Sequence, residues 1–229
     1  MGLSIEVGIL ADLLENDEEG AQSFIEEMNK LNPFLVSCGL RAHTEPEQCP
    51  VFSADMLGYS GLHYLRRIAP HLNLRGSLPA PGGDDAAHDP ILDEYYQLLN
   101  APRPGLFGAL IGRKQVRREY DHLIVHSDAE GYYLPQDFPE VLFPPEELEI
   151  PGGMIGSSPR LLDETRRLAQ AIELPLDMDP EADELWKAAE TQGEGDALWQ
   201  RYGVESFTCL RLYHAARHSI EHSAALVFA

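Results

Sequence analysis

Three histidines near the end of the chain are the residues whose type and spacing come closest to a chemical site. His214, His218 and His222 follow one another at intervals of four residues, with Glu221 beside the last. Side chains four residues apart lie on one face of an α-helix, where two imidazoles can chelate a divalent metal. The HExxH order of metalloproteases is absent. The alternative is a polar helix face whose histidines are solvated or hydrogen-bonded to nearby loops.

A second pair of candidate ligands, His126 and Asp128, lies in a segment that reads as a β-hairpin over residues 122–135. Apolar and aromatic runs flank a turn that ends at Gly131, as in hairpins with a bulge. If this hairpin packs beside the last helix, His126 and Asp128 would join the three histidines around a divalent metal that activates water. The alternative is that Asp128 caps its own turn and His126 makes local hydrogen bonds.

A glycine-rich loop precedes another predicted helix and is a candidate for binding an anion. Backbone N–H groups of such a loop point at a negative ligand, and the helix dipole favours that ligand. No Lys follows the last glycine, so the loop is not a Walker A motif. The alternative is a tight turn followed by a helix cap. The candidate residues for a small anionic ligand are Gly153, Gly156, Ser157 and Ser158.

The densest basic cluster consists of Arg113, Lys114, Arg117 and Arg118. Its spacing suits a helix face that pairs with the protein's own acids, and a substrate-anchoring role is the alternative.

The charge balance is the most unusual global property of the chain. It contains 38 acidic residues against 17 Lys and Arg, which gives a formal net charge of −21. Such a surface repels phosphate groups, so we expect no nucleic acid and no membrane as a partner. A basic protein is the expected partner, and a divalent metal is the one cofactor that the charge and histidines favour. The alternative is that the charge only keeps the protein soluble.

The cysteines and the hydropathy of the chain predict a cytoplasmic protein. Cys38, Cys49 and Cys209 are odd in number and form no CxxC pair, which argues against a disulfide framework. The first residues lack the basic and apolar regions of a signal peptide, and no apolar run approaches the length of a membrane span.

The pattern of apolar residues predicts a helix-rich α+β fold with a small antiparallel hairpin or sheet element. We expect one domain over residues 1–229, with loops at 41–56 and a flexible loop at about 73–90. Residues 3–14 begin like a strand and continue like a helix. Helices are predicted at about 16–38, 60–69, 91–99, 157–172, 180–191, 195–201 and 204–225.

The final predicted helix has two distinct faces. Phe207 and Arg211 share the face of the three histidines, and apolar residues such as Leu212 and Ala216 lie opposite. We therefore expect the face that carries the histidines to point away from the main core.

Two segments resemble stretches of bacterial hypothetical proteins that have no assigned activity. They are Glu6-Val-Gly-Ile-Leu-Ala-Asp-Leu-Leu-Glu-Asn-Asp17 and His126-Ser-Asp-Ala-Glu-Gly-Tyr-Tyr-Leu-Pro135. The resemblance extends over most of the chain and implies a bacterial, soluble protein. It assigns no catalytic residue.

Two hypotheses of function follow from the sequence. The first is an acidic, soluble accessory protein that binds a basic protein, as toxin-neutralising immunity proteins do, because the charge is large and no complete catalytic motif is present. The alternative is a metal-dependent hydrolase that uses the His/Asp cluster.

Overall fold

In the computed structural model, which describes residues 3–82, 86–100 and 119–228, helices cover both faces of a small mixed sheet. The strands lie in the order β2-β1-β5-β3-β4. Neighbouring strands are antiparallel, except that β3 and β4 are parallel. The strands are β1 (Ser4–Val7), β2 (Phe52–Asp55), β3 (Gly131–Leu134), β4 (Ile155–Ser157) and β5 (Leu226–Phe228).

The helices confirm the prediction of a helix-rich α+β fold. Asp17 begins the long second helix, as its acidic start predicts, because its carboxylate accepts a hydrogen bond of 3.0 Å from the Gly20 N–H. The helices are α1 (Ile9–Asn16), α2 (Glu18–Ser37), α3 (Gly58–Arg75), α4 (Pro90–Asn100), α5 (Asp121–Ile124), α6 (Ser158–Ala171), α7 (Asp183–Glu190), α8 (Leu198–Arg201) and α9 (Gly203–His222). Within the described ranges no helix is long and apolar enough to span a membrane.

The sheet is buried on both of its faces. Tyr132 and Val227 point to one face, where they pack against α1, α2 and the segment 135–150. Tyr133 and Phe228, one residue along each strand, point to the other face, where α3, α6 and α9 pack. Because both faces are covered, all four residues of β3 are buried and its sequence shows no polar alternation.

Two of the strands were not predicted from the sequence. β2 falls inside the predicted loop 41–56, and β5 lies just after the predicted last helix, where no element was predicted. β5 is a short apolar run and β2 alternates over only four residues (Phe-Ser-Ala-Asp), and patterns this short do not identify a strand. Pairing with β1, and for β5 also with β3, determines their conformation.

The hairpin predicted over residues 122–135 is wrong. Residues 121–124 form α5, and β3 pairs with β5 and β4 instead of with the preceding segment. The buried carboxylate of Glu164 on α6 accepts hydrogen bonds from the backbone N–H groups of His122 (3.1 Å) and Leu123 (2.7 Å). These bonds satisfy the first N–H groups of a helix, so this tertiary contact favours a helical turn over a strand.

The pKa of Glu164 predicts how stability depends on pH. Burial raises this pKa from 4.5 to about 8, so from pH 4.5 to 8 the folded protein keeps a proton that the unfolded chain releases. The stabilisation is complete below pH 4.5 and is lost as the pH rises, at up to about 1.4 kcal/mol per pH unit. We expect the difference in unfolding free energy between wild type and Glu164→Gln to fall over this interval in denaturant titrations. Glu184→Gln, at an exposed site, is the control, and parallel profiles for all three proteins would contradict the prediction.

The first half of α9 is buried all round, contrary to the two-faced helix expected from the sequence. Phe207 and Arg211, which share the histidine face, are both fully buried. The Arg211 guanidinium lies 3.5 Å from the Phe207 ring centroid and donates a hydrogen bond of 2.7 Å to Glu181. α7 packs over this face, so an arginine that looks like a surface residue lies in the core.

The predicted loop at about 73–90 is attached to the helices at several points. Arg67 on α3 donates hydrogen bonds to the carbonyl oxygens of Ala80 and Gly82, and the Tyr202 hydroxyl donates one to the Pro79 carbonyl. Residues 83–85 lie outside the described residues, as does the basic cluster at 113–118. The single domain with a flexible loop stays a prediction.

Candidate functional site

His126, one of the predicted metal ligands, is buried beneath the sheet. Its two ring nitrogens face the backbone carbonyl oxygens of Ser127 (3.0 Å) and Tyr132 (3.1 Å). The ring stacks on Tyr133, with 4.0 Å between centroids. Burial lowers the pKa of His126 to about 4, so the ring is neutral at physiological pH. These contacts give His126 a local structural role, which was the alternative considered from the sequence.

The remaining predicted ligands do not meet around one point. Asp128 pairs with His63 on α3 at 3.3 Å. His218 bonds to the Pro50 carbonyl at 2.8 Å, and its ring lies 4.3 Å from that of His222. Within the described ranges, no three His, Cys, Asp or Glu side chains are placed to hold one metal ion. The metal site stays a prediction that these contacts do not favour.

His214, the third histidine of the helix, is half-buried. Burial lowers the pKa of this side chain, and its Nε2 has no hydrogen-bond partner among the described residues.

The predicted anion-binding residues make bonds within the protein. The Ser157 hydroxyl donates to the Gln136 carbonyl (2.7 Å) and, as the cap of α6, accepts from the Arg160 N–H. The Ser158 hydroxyl lies 2.7 Å from that of Ser219. Both serines are fully buried. The helix start predicted at Ser157 is therefore confirmed, and anion binding at the loop stays a prediction.

The two glycines of this loop have different structural roles. Gly153 adopts a left-handed conformation (φ 64°) at the end of a short 3₁₀ turn. Gly156 lies in β4 against Tyr133, and a side chain there would overlap with the Tyr133 ring.

Acidic side chains dominate the layer that covers one face of the sheet. Lys30 is the only cation before Arg41, and no Lys or Arg occurs between Arg118 and Arg160. The segments α1, α2 and 135–150 that form this layer are therefore almost without positive charge. We define the acidic face as its exposed carboxylates: Asp12, Glu15, Asp17, Glu18, Glu19, Glu26, Asp137, Glu140, Glu146, Glu147 and Glu149.

The sheet holds this layer in place through α2. Phe24 contacts the Tyr132 ring edge-on, with 6.0 Å between centroids. The Tyr132 hydroxyl donates a hydrogen bond of 2.7 Å to Glu27 on the same helix. Leu31 and Leu35 are fully buried in the same core. The exposed carboxylates of α2 therefore project from a helix whose opposite side is packed.

Several cations of the chain are buried away from the acidic face. Arg66, Arg67 and Arg211 are each less than a tenth exposed. Arg66 donates to the carbonyl oxygens of Leu123 (2.8 Å) and His126 (2.6 Å), next to α5. Backbone carbonyl oxygens also accept from Arg67, and the Glu181 carboxylate accepts from Arg211. These three buried arginines therefore place no guanidinium group on the acidic face.

From the sequence the acidity was predicted only as a property of the whole chain, and its concentration in one layer was not predicted. The signal was present in the spacing of the cations, because the gaps around Lys30 and between Arg118 and Arg160 are visible without a structure. That both gaps belong to one layer was not visible, because it depends on which segments cover the same face of the sheet.

Comparison with known proteins gives a match to a protein family. The model of a protein family described as "Putative DNA-mimic protein" matches residues 1–228. Neither a curated protein nor a solved structure matches the chain.

The family match corrects the predictions of function and partner. The hypotheses of an immunity-like accessory protein and of a metal-dependent hydrolase were both wrong, because the matched family is described as imitating DNA. The expected partner was a basic protein of no stated class, whereas the description of the family points to proteins that bind DNA, which are basic as a rule. The expectation that nucleic acid itself is no partner is compatible with this correction. The resemblance to an uncharacterised family agrees with the match, and the bacterial origin stays a prediction.

Proposed function

The chain belongs to the family described as "Putative DNA-mimic protein", and we propose on this premise that it occupies the DNA-binding surface of a DNA-binding protein and so excludes DNA. The observation that carries the proposal is the acidic face. Carboxylates and phosphates are both anionic oxygen acceptors, and the same Lys and Arg side chains bind both. A protein surface on which carboxylates greatly outnumber cations therefore competes for the side chains that hold a DNA backbone.

The spacing of charges on α2 suits this role. Glu18, Glu19 and Glu26 are exposed on one helix, and the first and last are about 12 Å apart along its axis at about 1.5 Å per residue. One strand of B-DNA carries about three to four phosphates over that distance, since its charges are about 3.4 Å apart along the axis. The linear density of charge on α2 is thus close to that of a DNA strand.

The packing of α2 also supports the proposal. A surface that is ordered before it binds loses less conformational entropy on binding. The contacts of Phe24, Leu31 and Leu35 with the sheet-side core fix the helix that carries the carboxylates. The acidic face therefore resembles DNA in presenting its charges on a rigid support.

Displacement of DNA is the experiment that tests the proposal. Purified DNA-binding proteins would each be loaded with a fluorescent duplex, and anisotropy would report its release as this protein is added. The panel spans helix-turn-helix dimers, minor-groove architectural proteins and single-strand-binding proteins. We expect release from at least one duplex-binding protein at about 0.05 M salt, where exposed charges are least screened.

Serum albumin is the control for charge alone, because it is acidic but is not a DNA mimic. Release by both proteins at equal concentrations would show that bulk charge is sufficient and would contradict mimicry. Failure to release the duplex from every member of the panel, even at low salt, would overturn the proposal.

We also propose that the protein acts in the cytoplasm. Among the described residues Cys38 is a free, exposed thiol, and Cys49 and Cys209 are free as well. Free thiols are typical of reducing compartments. An acid-quenched thiol titration of protein isolated from its native cells tests this, and an oxidised Cys38 would contradict it.

A further inference from the structure

A shallow groove between α1 and α2 interrupts the acidic face. Its apolar lining is formed by Leu14, Ala21 and Ile25. Glu18 and Glu19 lie at the same groove, together with the amide of Gln22. The acidic face thus contains an apolar floor that is bordered by two exposed carboxylates.

Leu14 is the most exposed apolar residue of this groove. It is 45% exposed, whereas Leu10, one turn earlier on α1, is buried in the core. A single exposed leucine is ordinary on a protein surface. Here it lies beside Ile25 of the neighbouring helix, among carboxylates that would bring a basic partner into contact with it. In protein interfaces, apolar anchors surrounded by polar groups carry a large part of the binding energy.

We propose that this groove receives an apolar side chain of the partner, presented by a basic helix whose Lys and Arg residues contact the acidic face. The inference rests on the proposed function and specifies the chemistry of the partner. Charge complementarity selects this occupant, because Glu18 and Glu19 favour cationic side chains on either side of the buried apolar one. A helix that binds DNA also carries Lys and Arg at its contact surface.

The groove would give the protein an advantage over DNA that depends on salt. Affinity for DNA falls steeply with salt, because binding releases counterions from the phosphates. Burial of an apolar side chain is not screened in this way. Competition with DNA should therefore favour this protein increasingly as the ionic strength rises.

Two synthetic helical peptides of about 20 residues, a length at which isolated helices form, are the probes. They have identical Lys and Arg positions and differ only in a central Leu or Ser. At about 0.5 M NaCl, where surface charges are screened, we expect wild type to bind the Leu peptide about tenfold more tightly than the Ser peptide. This is about 1.4 kcal/mol, less than full burial of a leucine provides.

The variant Leu14→Ser should abolish this preference and leave binding of the Ser peptide unchanged. Two matched controls replace other exposed apolar side chains: Val36→Ser at the far end of α2, where Val36 is 58% exposed, and Leu98→Ser on α4, where Leu98 is 39% exposed. Both should keep the tenfold preference. Equal affinity of wild type for the two peptides, or an unchanged preference in Leu14→Ser, would overturn the groove proposal.

Failure of the groove is distinguishable from failure of DNA mimicry. If Leu14→Ser behaves as wild type with the peptides while wild type still releases duplex from the protein panel, the groove proposal is wrong and mimicry stands. If wild type neither prefers the Leu peptide nor releases any duplex, both are wrong.

Discussion

Replacing four glutamates of the acidic face by glutamine will weaken binding to the duplex-binding protein that wild type displaces best by about 100-fold. The replaced residues are Glu15, Glu18, Glu19 and Glu26, all exposed on α1 and α2. An exposed ion pair contributes roughly 0.2–1 kcal/mol, so four of them account for about 2–3 kcal/mol. Titration calorimetry or anisotropy at low salt measures the change, and the salt dependence of the dissociation constant should become shallower.

The matched control removes the same number of charges from the other side of the sheet. Glu184, Glu190, Glu194 and Asp196 are exposed on and after α7, which packs on α9. Their neutral amide variant has the same net charge as the test variant, and its affinity should stay within about threefold of wild type, because distant charges are screened. An equal loss in both variants would show that net charge, and not the acidic face, determines binding.

Gly203→Ala will destabilise the folded protein by more than about 4 kcal/mol. Losses of this size occur when a substitution overpacks the core. A Cβ atom at Gly203, the first residue of α9, would lie 1.8 Å from the backbone oxygen of Ala188 on α7. Rotation of a side chain cannot relieve that overlap, so the two helices must separate. Thermal and denaturant unfolding measure the loss, and a chain recovered only in unfolded form also satisfies the prediction.

Gly61→Ala, on α3, is the comparison for this effect. Its Cβ would meet the Thr208 hydroxyl at 2.7 Å, and this obstacle belongs to a side chain that can rotate. We expect a loss less than half as large. A melting temperature of Gly203→Ala within a few degrees of wild type would contradict the proposed helix contact, since about 4 kcal/mol corresponds to at least 8 °C in a domain of this size.

The helices were largely predictable from the sequence because their signals are local. The acidic start at Asp17, the hydroxyl cap at Ser157 and the apolar spacing between them do not require tertiary information. The strands were less predictable because each has three or four residues and is fixed by partners elsewhere in the chain. α5 shows this dependence most clearly, since Glu164, about forty residues away in sequence, caps the turn that replaced the predicted strand.

The candidate site was predictable only in its charge. Histidine spacing indicated a metal site, but spacing does not reveal that the His126 ring is held between backbone carbonyls and stacked on Tyr133. The negative charge indicated a basic partner, and a basic partner is compatible with DNA mimicry. The position of the acidic face depends on the way α1, α2 and the segment 135–150 cover the same side of the sheet, which is a tertiary property.

The position of β5 has a consequence for how the protein is made. β5 is the last of the five strands along the chain, yet it lies at the centre of the sheet and joins the β1–β2 pair to the β3–β4 pair. During synthesis on the ribosome, the two pairs emerge long before the strand that connects them. The acidic helices α1 and α2 are translated early, and the complete sheet on which they pack can form only after β5 has been translated. The sheet that supports the acidic face is therefore complete only after β5 has been synthesised.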